Sequence, residues 1–179
     1  MMETYTLKVA GLSRELPVCS IGNDLAFAAF IMFSDVEMTI AAAGELLKKA
    51  PEFDVILTSE AKGIPLAYEA ARQSGKNYVV ARKSVKLYMK DPVSVNVKSI
   101  TTAEEQMLYL SADDAALLRG KRVLILDDVI STGESLSALE DLLRTAGGEL
   151  VGKGAVLAEG DAAERDDIFF LEKLPLLKI

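Results

Sequence analysis

The apolar and polar positions of this chain sort into short apolar runs separated by polar, glycine-bearing turns, with amphipathic stretches between them. Thr4 to Val9 and Leu16 to Ile21 read as strands around a short turn containing Gly11, and Leu25 to Phe33 as a further apolar strand. Ser34-Asp35-Val36-Glu37 has the spacing of a capping box. It opens a predicted helix whose apolar face includes Val36, Ile40, Ala43, Leu46 and Leu47 and which ends near Pro51. Then comes a strand–helix–strand alternation typical of a parallel sheet: Asp54 to Thr58, Ile64 to Gln73, Tyr78 to Ala81.

Arg82 to Glu105 breaks that rhythm, being polar, lysine-bearing and only weakly β-patterned. Within an α/β domain such an interruption is read as a functional lid rather than filler. Strand character resumes at Gln106 to Leu110 and at Val123, and further strands are expected at Leu150 to Leu157 and Ile168 to Leu171. No internal repeat or Pro/Ser-rich linker divides the sequence, so 179 residues are expected to form one α/β domain.

The most informative segment is Val123 to Ser135, VLILDDVISTGES. A branched apolar run predicts a buried parallel strand, read as stopping at Asp127 and Asp128. Ser131, Thr132, Gly133, Glu134 and Ser135 then form a small, hydroxyl-rich turn before an amphipathic helix carrying Leu136, Leu139, Leu142 and Leu143. The strand end would set the carboxylates at the carboxyl edge of the sheet, where ligands bind. The turn and helix start would offer backbone N–H groups and a positive dipole end to a phosphate. The plain alternative is a strand ending in a solvated acidic turn. A Walker-type P-loop is excluded, since no Gly-Lys-Ser/Thr follows the strand.

Composition narrows the chemistry. Histidine is absent, which removes Ser–His and Cys–His nucleophilic catalysis and the commonest transition-metal ligand. Catalysis must rest on carboxylates, lysines, arginines, backbone dipoles or a hard cation such as Mg2+. The net charge of -7 argues against nucleic acid as the main partner. No apolar stretch approaches membrane-spanning length, and no basic segment leads into an apolar one near Met1, so no membrane span or secretory signal is expected. The single cysteine, Cys19, offers no disulfide framework, and a reducing cytoplasm is the expected home.

Val123 to Ser135 resembles the signature of the type I phosphoribosyltransferases, which bind phosphoribosyl pyrophosphate (PRPP). The resemblance implies their fold: a twisted, mainly parallel sheet flanked by helices, with a small hood from about residues 1–33 and 160–179 over a core of about 34–159. It implies that Asp127 and Asp128 contact the ribose hydroxyls and reach Mg2+ indirectly with PRPP, and that Asp127 to Ser135, including Val129 and Ile130, bind ribose and 5-phosphate. Ser59 to Ala67, SEAKGIPLA, resembles the pyrophosphate loop, with Glu60, Ala61, Lys62 and Gly63 as its expected contacts. Adenine-type members usually carry Arg where Lys62 stands, so the positive charge is kept while the two-pronged guanidinium geometry is not. An ordinary turn with a solvated lysine is the alternative. Ala81 to Leu87, ARKSVKL, resembles the RK-x-x-K-L segment of purine-type members, implying that Arg82, Lys83 and Lys86 draw on the leaving pyrophosphate; the alternative is a solvated basic strand end.

For the base, the resemblance implies a hood whose apolar residues Val18, Ile21, Leu25 and Phe27 stack on a flat ring or serve as hood core. Ser131 stands where hypoxanthine/guanine-type members place an acid, and no lysine occurs around Ala158-Glu159-Gly160, with Gly160 at the expected lysine position. Both absences favour adenine over a 6-oxo purine. Orotate is disfavoured, because orotate-type lids carry histidine. Glu104 (with Glu105 beside it) is the candidate for purine N7, although alignment puts Thr102 closer, and VKSITT from Val97 to Thr102 looks more like xanthine-type lids. The expected activity is adenine phosphoribosyl transfer in purine salvage, with Asp127, Asp128, Lys86 and Glu104 in catalysis, in a homodimer as is common in that family. The alternatives are xanthine, guanine or hypoxanthine transfer, a PRPP-sensing regulator of purine metabolism, or a subunit needing a partner chain. The regulator is disfavoured because such proteins carry a winged helix, for which neither room before Thr58 nor a basic face is expected.

Overall fold

The run Val55 to Leu57 is apolar because it is covered on both faces: β4 (Val55–Ser59), including its polar Thr58 and Ser59, is buried at all five positions in the computed structural model, which describes residues 4–22, 24–97 and 106–178. Its neighbours are β5 (Asn77–Ala81) on one side and β8 (Arg122–Ile130) on the other; β9 (Glu149–Glu159) and β10 (Phe169–Leu174) extend the sheet beyond β8. The order is β10-β9-β8-β4-β5, and every neighbouring pair is parallel. The connections run outward in opposite directions from β4 and β8. A crevice therefore opens at their carboxyl ends, where ligands bind in such sheets.

Strand alternation splits the interior into two cores. Val55, Leu57, Val123 and Ile125 pack with α4 (Glu134–Ala146), whereas Ile56, Leu124 and Leu126 pack with α1 (Val36–Lys49) and α2 (Gly63–Ser74). The β8–β9 register shifts by one near its base: Val123 pairs with Leu150, but Leu124 pairs with Gly152, and that offset holds to Ile130 and Ala158.

A second, antiparallel sheet takes β1 (Thr4–Val9), β2 (Leu12–Ser20), β3 (Leu25–Ala28) and β11 (Leu177–Lys178), in the order β1-β2-β3-β11. Of the strands within 160–179, β10 belongs to the main sheet and only β11 joins the small one. A hairpin of β6 (Val93–Val97) and β7 (Gln106–Leu110) packs beside α4. The expected lid segment thus contains a regular strand. Glu104, Glu105 and Thr102 lie outside the described residues.

Several expectations shift. Asp35, not Ser34, caps α1, its Oδ1 accepting from the Met38 amide at 3.1 Å, while Glu37 turns to Arg14 at 2.7 Å. The buried stripe of α1 is Met38, Thr39, Ala42, Ala43 and Leu46, leaving Val36 67% and Ile40 46% exposed beside Phe33 and Tyr68. β3 ends at Ala28, five residues short of Phe33. An unanticipated helix, α3 (Ala112–Leu118), follows β7, capped by the Ser111 hydroxyl, which accepts from the Asp114 amide at 3.0 Å.

Candidate active site

β8 does not stop at its carboxylates. It continues in register through Asp127, opposite Ala155, to Ile130, opposite Ala158, so the paired acids are held by the ladder itself. Asp128 is 3% exposed and forms an ion pair with Lys62, Nζ to Oδ2 3.1 Å. Asp127 Oδ1 accepts from the Asp128 amide at 2.9 Å. Burial, then the adjacent Asp128 charge, pushes the Asp127 carboxyl up from 3.8 to about 8. Although the residue keeps some contact with solvent, its carboxyl is wedged against Gly63, and that enclosure sets the direction of the shift.

The first residue of α2 has to be glycine for this arrangement. A Cβ on Gly63 would lie 2.3 Å from Thr58 Oγ1 and 2.9 Å from Asp127 Oδ1. The Thr58 hydroxyl is buried without a hydrogen-bond partner among the described residues. The Glu60–Ala61 peptide is cis.

After β8 the backbone turns sharply into α4. Gly133 sits in the left-handed region at φ 83° as the residue before the helix, and the Thr132 hydroxyl accepts from the Glu134 amide at 3.4 Å. Asp127, Val129, Ile130, Ser131, Thr132, Gly133 and Ser135 line a small concavity there of about 60 Å3. Hydroxyls and the positive end of α4 suit an anion of phosphate size. A neighbouring polar cleft of about 470 Å3 includes Arg165 and Lys153, whose charges are already matched by Asp167 and Glu140.

On the β5 side, Arg82 is tied to β7 through paired backbone hydrogen bonds with Tyr109 at 2.9 and 2.8 Å. Its guanidinium meets Glu60 at 2.7 Å, and Glu60 also accepts from the Lys83 amide at 2.7 Å. Burial would raise the Glu60 carboxyl, but the Lys83 amide, Arg82 and Lys86 outweigh it and hold it below its usual range. Lys86 Nζ donates to Ser84 Oγ at 2.6 Å. Glu60, Arg82, Lys83 and Lys86 therefore form one connected group across the β4 and β5 ends, with Lys62 between it and the Asp pair.

A third cleft, of about 420 Å3, opens between the small sheet and the ends of β8 and β9. Phe27 to Ile31 form one wall, Val129, Ser131 and Leu174 the other, and Lys62 and Glu159 are its charged residues. Of the predicted ring-stacking residues only Phe27 lines it. Val18 and Leu25 are half-buried outside it, and Ile21 is 54% exposed. Gly160, expected at the lysine position, is not among the lining residues; Glu159 is. Burial raises the Glu159 carboxyl, and Lys62 partly opposes that rise.

The family model described as a phosphoribosyl transferase domain matches residues 37–174. The chain belongs to the phosphoribosyltransferase family. A probable purine biosynthesis transcriptional regulator, PurR, of Streptococcus pneumoniae is 29% identical over 97% of the chain, which spans 61% of that protein's length. An adenine phosphoribosyltransferase of Oenococcus oeni is 31% identical over 81% of the chain and 85% of its own length. The crystal structure of an adenine phosphoribosyltransferase from Thermoanaerobacter pseudethanolicus superposes with TM-score 0.69 over 88% of this chain and 95% of that one, at 23% identity, and shows a shared fold. In this member of the family, Glu159 is the charged cleft residue that sequence reasoning leaves unassigned. Its only signal is a carboxylate directly after the apolar run of β9. Among the described residues no helix is long and apolar enough to cross a membrane.

Proposed function

We propose that this phosphoribosyltransferase moves the 5-phosphoribosyl group of PRPP onto a purine, with adenine the best-fitting acceptor. The observation that carries the reading is the convergence of three groups on the β4/β8 crevice: the Asp127–Asp128 pair, the hydroxyl-rich Ser131–Ser135 turn, and the Glu60–Arg82–Lys83–Lys86 cluster. Their chemistry matches the three parts of PRPP in order. Adenine is supported by the relatives of that name and by the absence of a lysine at the end of β9.

In this reading the turn and the positive end of α4 anchor the 5-phosphate, and Asp127 and Asp128 hold the ribose hydroxyls. Lys62, Arg82, Lys83 and Lys86 neutralise the pyrophosphate as the C1–oxygen bond breaks, while the purine nitrogen forms its bond to C1 and gives up its proton. Glu104 is the proposed group at purine N7. Paired carboxylate oxygens suit a hard cation. Among the described residues no cluster of three or more metal-ligating side chains exists, so Mg2+ would be held jointly with PRPP oxygens. When bound, it would supply charge neutralisation on the pyrophosphate.

The test is a calorimetric titration of Mg2+ and PRPP into wild type and the double variant Asp128→Asn/Thr132→Val. The variant is expected to lose at least about tenfold in affinity with its fold intact. Unchanged affinity refutes the site assignment. A second reading, a PRPP-sensing regulator, is favoured by the match to the Streptococcus regulator along nearly the whole chain. Protein, Mg2+ and labelled PRPP incubated with each purine separates the two: nucleotide formed with any base supports the transferase, and PRPP binding without product with every base supports the sensor.

A further inference from the structure

We propose that Glu159 is the specificity-determining residue of the acceptor cleft, taking a hydrogen bond from an exocyclic amino group on the ring bound there. The inference rests on the phosphoribosyl-transfer reading above and adds to it the chemical class of the acceptor.

The cleft volume, about 420 Å3, lies within the range of small-molecule sites, roughly 300–1,000 Å3. Its walls are almost wholly apolar, with Phe27, Phe30, Ile31, Val129 and Leu174 placed to cover the faces of a flat ring. Orientation within such a space is set by its few polar groups. Lys62 is committed to Asp128 at 3.1 Å on the sugar side of the crevice. Besides the Ser131 hydroxyl, that leaves the Glu159 carboxylate, the remaining charged group, which has no hydrogen bond or ion pair within 4 Å from any described residue and feels Lys62 only at longer range.

A partly buried carboxylate without a donor is costly, and a ligand supplying an N–H removes that cost. A ring presenting a carbonyl oxygen to the same place sets acceptor against acceptor. Sites that pair a polar group discriminate far more sharply than apolar walls do. The cleft therefore suits an amino-substituted heteroaromatic base and works against its 6-oxo counterpart. The raised Glu159 carboxyl agrees with the geometry, since burial without a fixed donor has that effect.

The experiment compares adenine with hypoxanthine at saturating Mg2+ and PRPP, for wild type, E159Q and E159K. It reads kcat/KM, or base affinity for the PRPP-loaded protein if no product forms, with PRPP affinity measured separately for each. Wild type is expected to favour adenine by at least about a hundredfold, with E159Q losing about tenfold for adenine and E159K moving the ratio at least about tenfold toward hypoxanthine, PRPP affinity being retained throughout. A wild type that takes hypoxanthine as well as adenine overturns the inference. So do variants that keep PRPP binding and the wild-type base ratio. Failure of wild type to bind PRPP overturns the transfer reading instead.

Discussion

Asp127→Asn is expected to make the ligand-free protein more stable, because this carboxylate is held where it resists ionisation. Its pKa rises from 3.8 in the unfolded chain to about 8 in the folded one, so the folded state binds the extra proton across that interval. Stability contributed by the protonated form is complete below about pH 4 and is lost as pH rises towards 8. At pH 7 about three pH units have been crossed, each worth about 1.4 kcal/mol, which sets a ceiling of about 4 kcal/mol. Partial solvent contact and charge sharing with Asp128 bring the expected effect nearer 2 kcal/mol, or about 4–8 °C in Tm for a chain of this size. Asparagine keeps the oxygen that accepts from the Asp128 amide at 2.9 Å, and its NH2 can donate as the protonated acid does. Urea unfolding of both proteins, without Mg2+ or PRPP and from about pH 5 to about pH 8, should show the variant's advantage widening with pH. A gap that stays constant, or a less stable variant at pH 7, would refute the argument. The same substitution should weaken PRPP binding, a case of function held at the expense of stability.

Lys62→Met leaves Asp128, 3% exposed, without its ion pair. Because Lys62 is itself half-exposed, the destabilisation should be about 1–2 kcal/mol near pH 7, as measured by urea midpoints; an unchanged midpoint would contradict it. Gly63→Ala forces a Cβ to within 2.3 Å of Thr58 Oγ1 and 2.9 Å of Asp127 Oδ1. It should destabilise by about 1–3 kcal/mol despite alanine's better helix propensity, and a thermal melt showing no change would mean the Thr58–Gly63–Asp127 packing is not tight.

Much of this architecture is legible because burial leaves marks in composition. The apolar run Val55 to Leu57, followed by a glycine-bearing turn, suits a strand covered on both faces, and Val123 to Leu126 repeats the pattern. The turn after β8 is legible because small hydroxyl residues and Gly133 suit a left-handed junction before a helix. What fails depends on packing between elements. Val36 and Ile40 fit a helical stripe with Ala43, yet α1 is rotated so that Met38 and Ala42 face the core instead. Asp127 and Asp128 read like the end of a strand because charge usually marks a boundary, whereas pairing with β9 carries β8 on to Ile130. α3 has a readable signal, Ser111 followed by Asp113 and Asp114, which is outweighed by the strand pattern just before it. Glu159 is unreadable as a cleft residue, since only the placement of the small sheet over the end of β9 gives it a ring-sized space to face.

The one-residue offset near the base of β8 and β9 has a consequence at the other end of the sheet. Val151 is the extra residue: up to Val123 the pairing offset is 27, and from Leu124 onward it is 28. Every later residue of β9 is thereby moved along one place, and in a strand one place exchanges the two faces. Glu159 reaches the cleft, level with the end of β8, only because of that insertion. Were Val151 drawn into the ladder opposite Leu124, each later position of β8 would meet the residue before its present partner, and Ala158 would stand where Glu159 does. Which residue of β9 lines the cleft is thus set eight residues upstream, about 26 Å away along the strand. A packing choice at the foot of the sheet, whether Val151 stays outside the ladder, thereby sets which residue the far end of β9 turns toward the cleft.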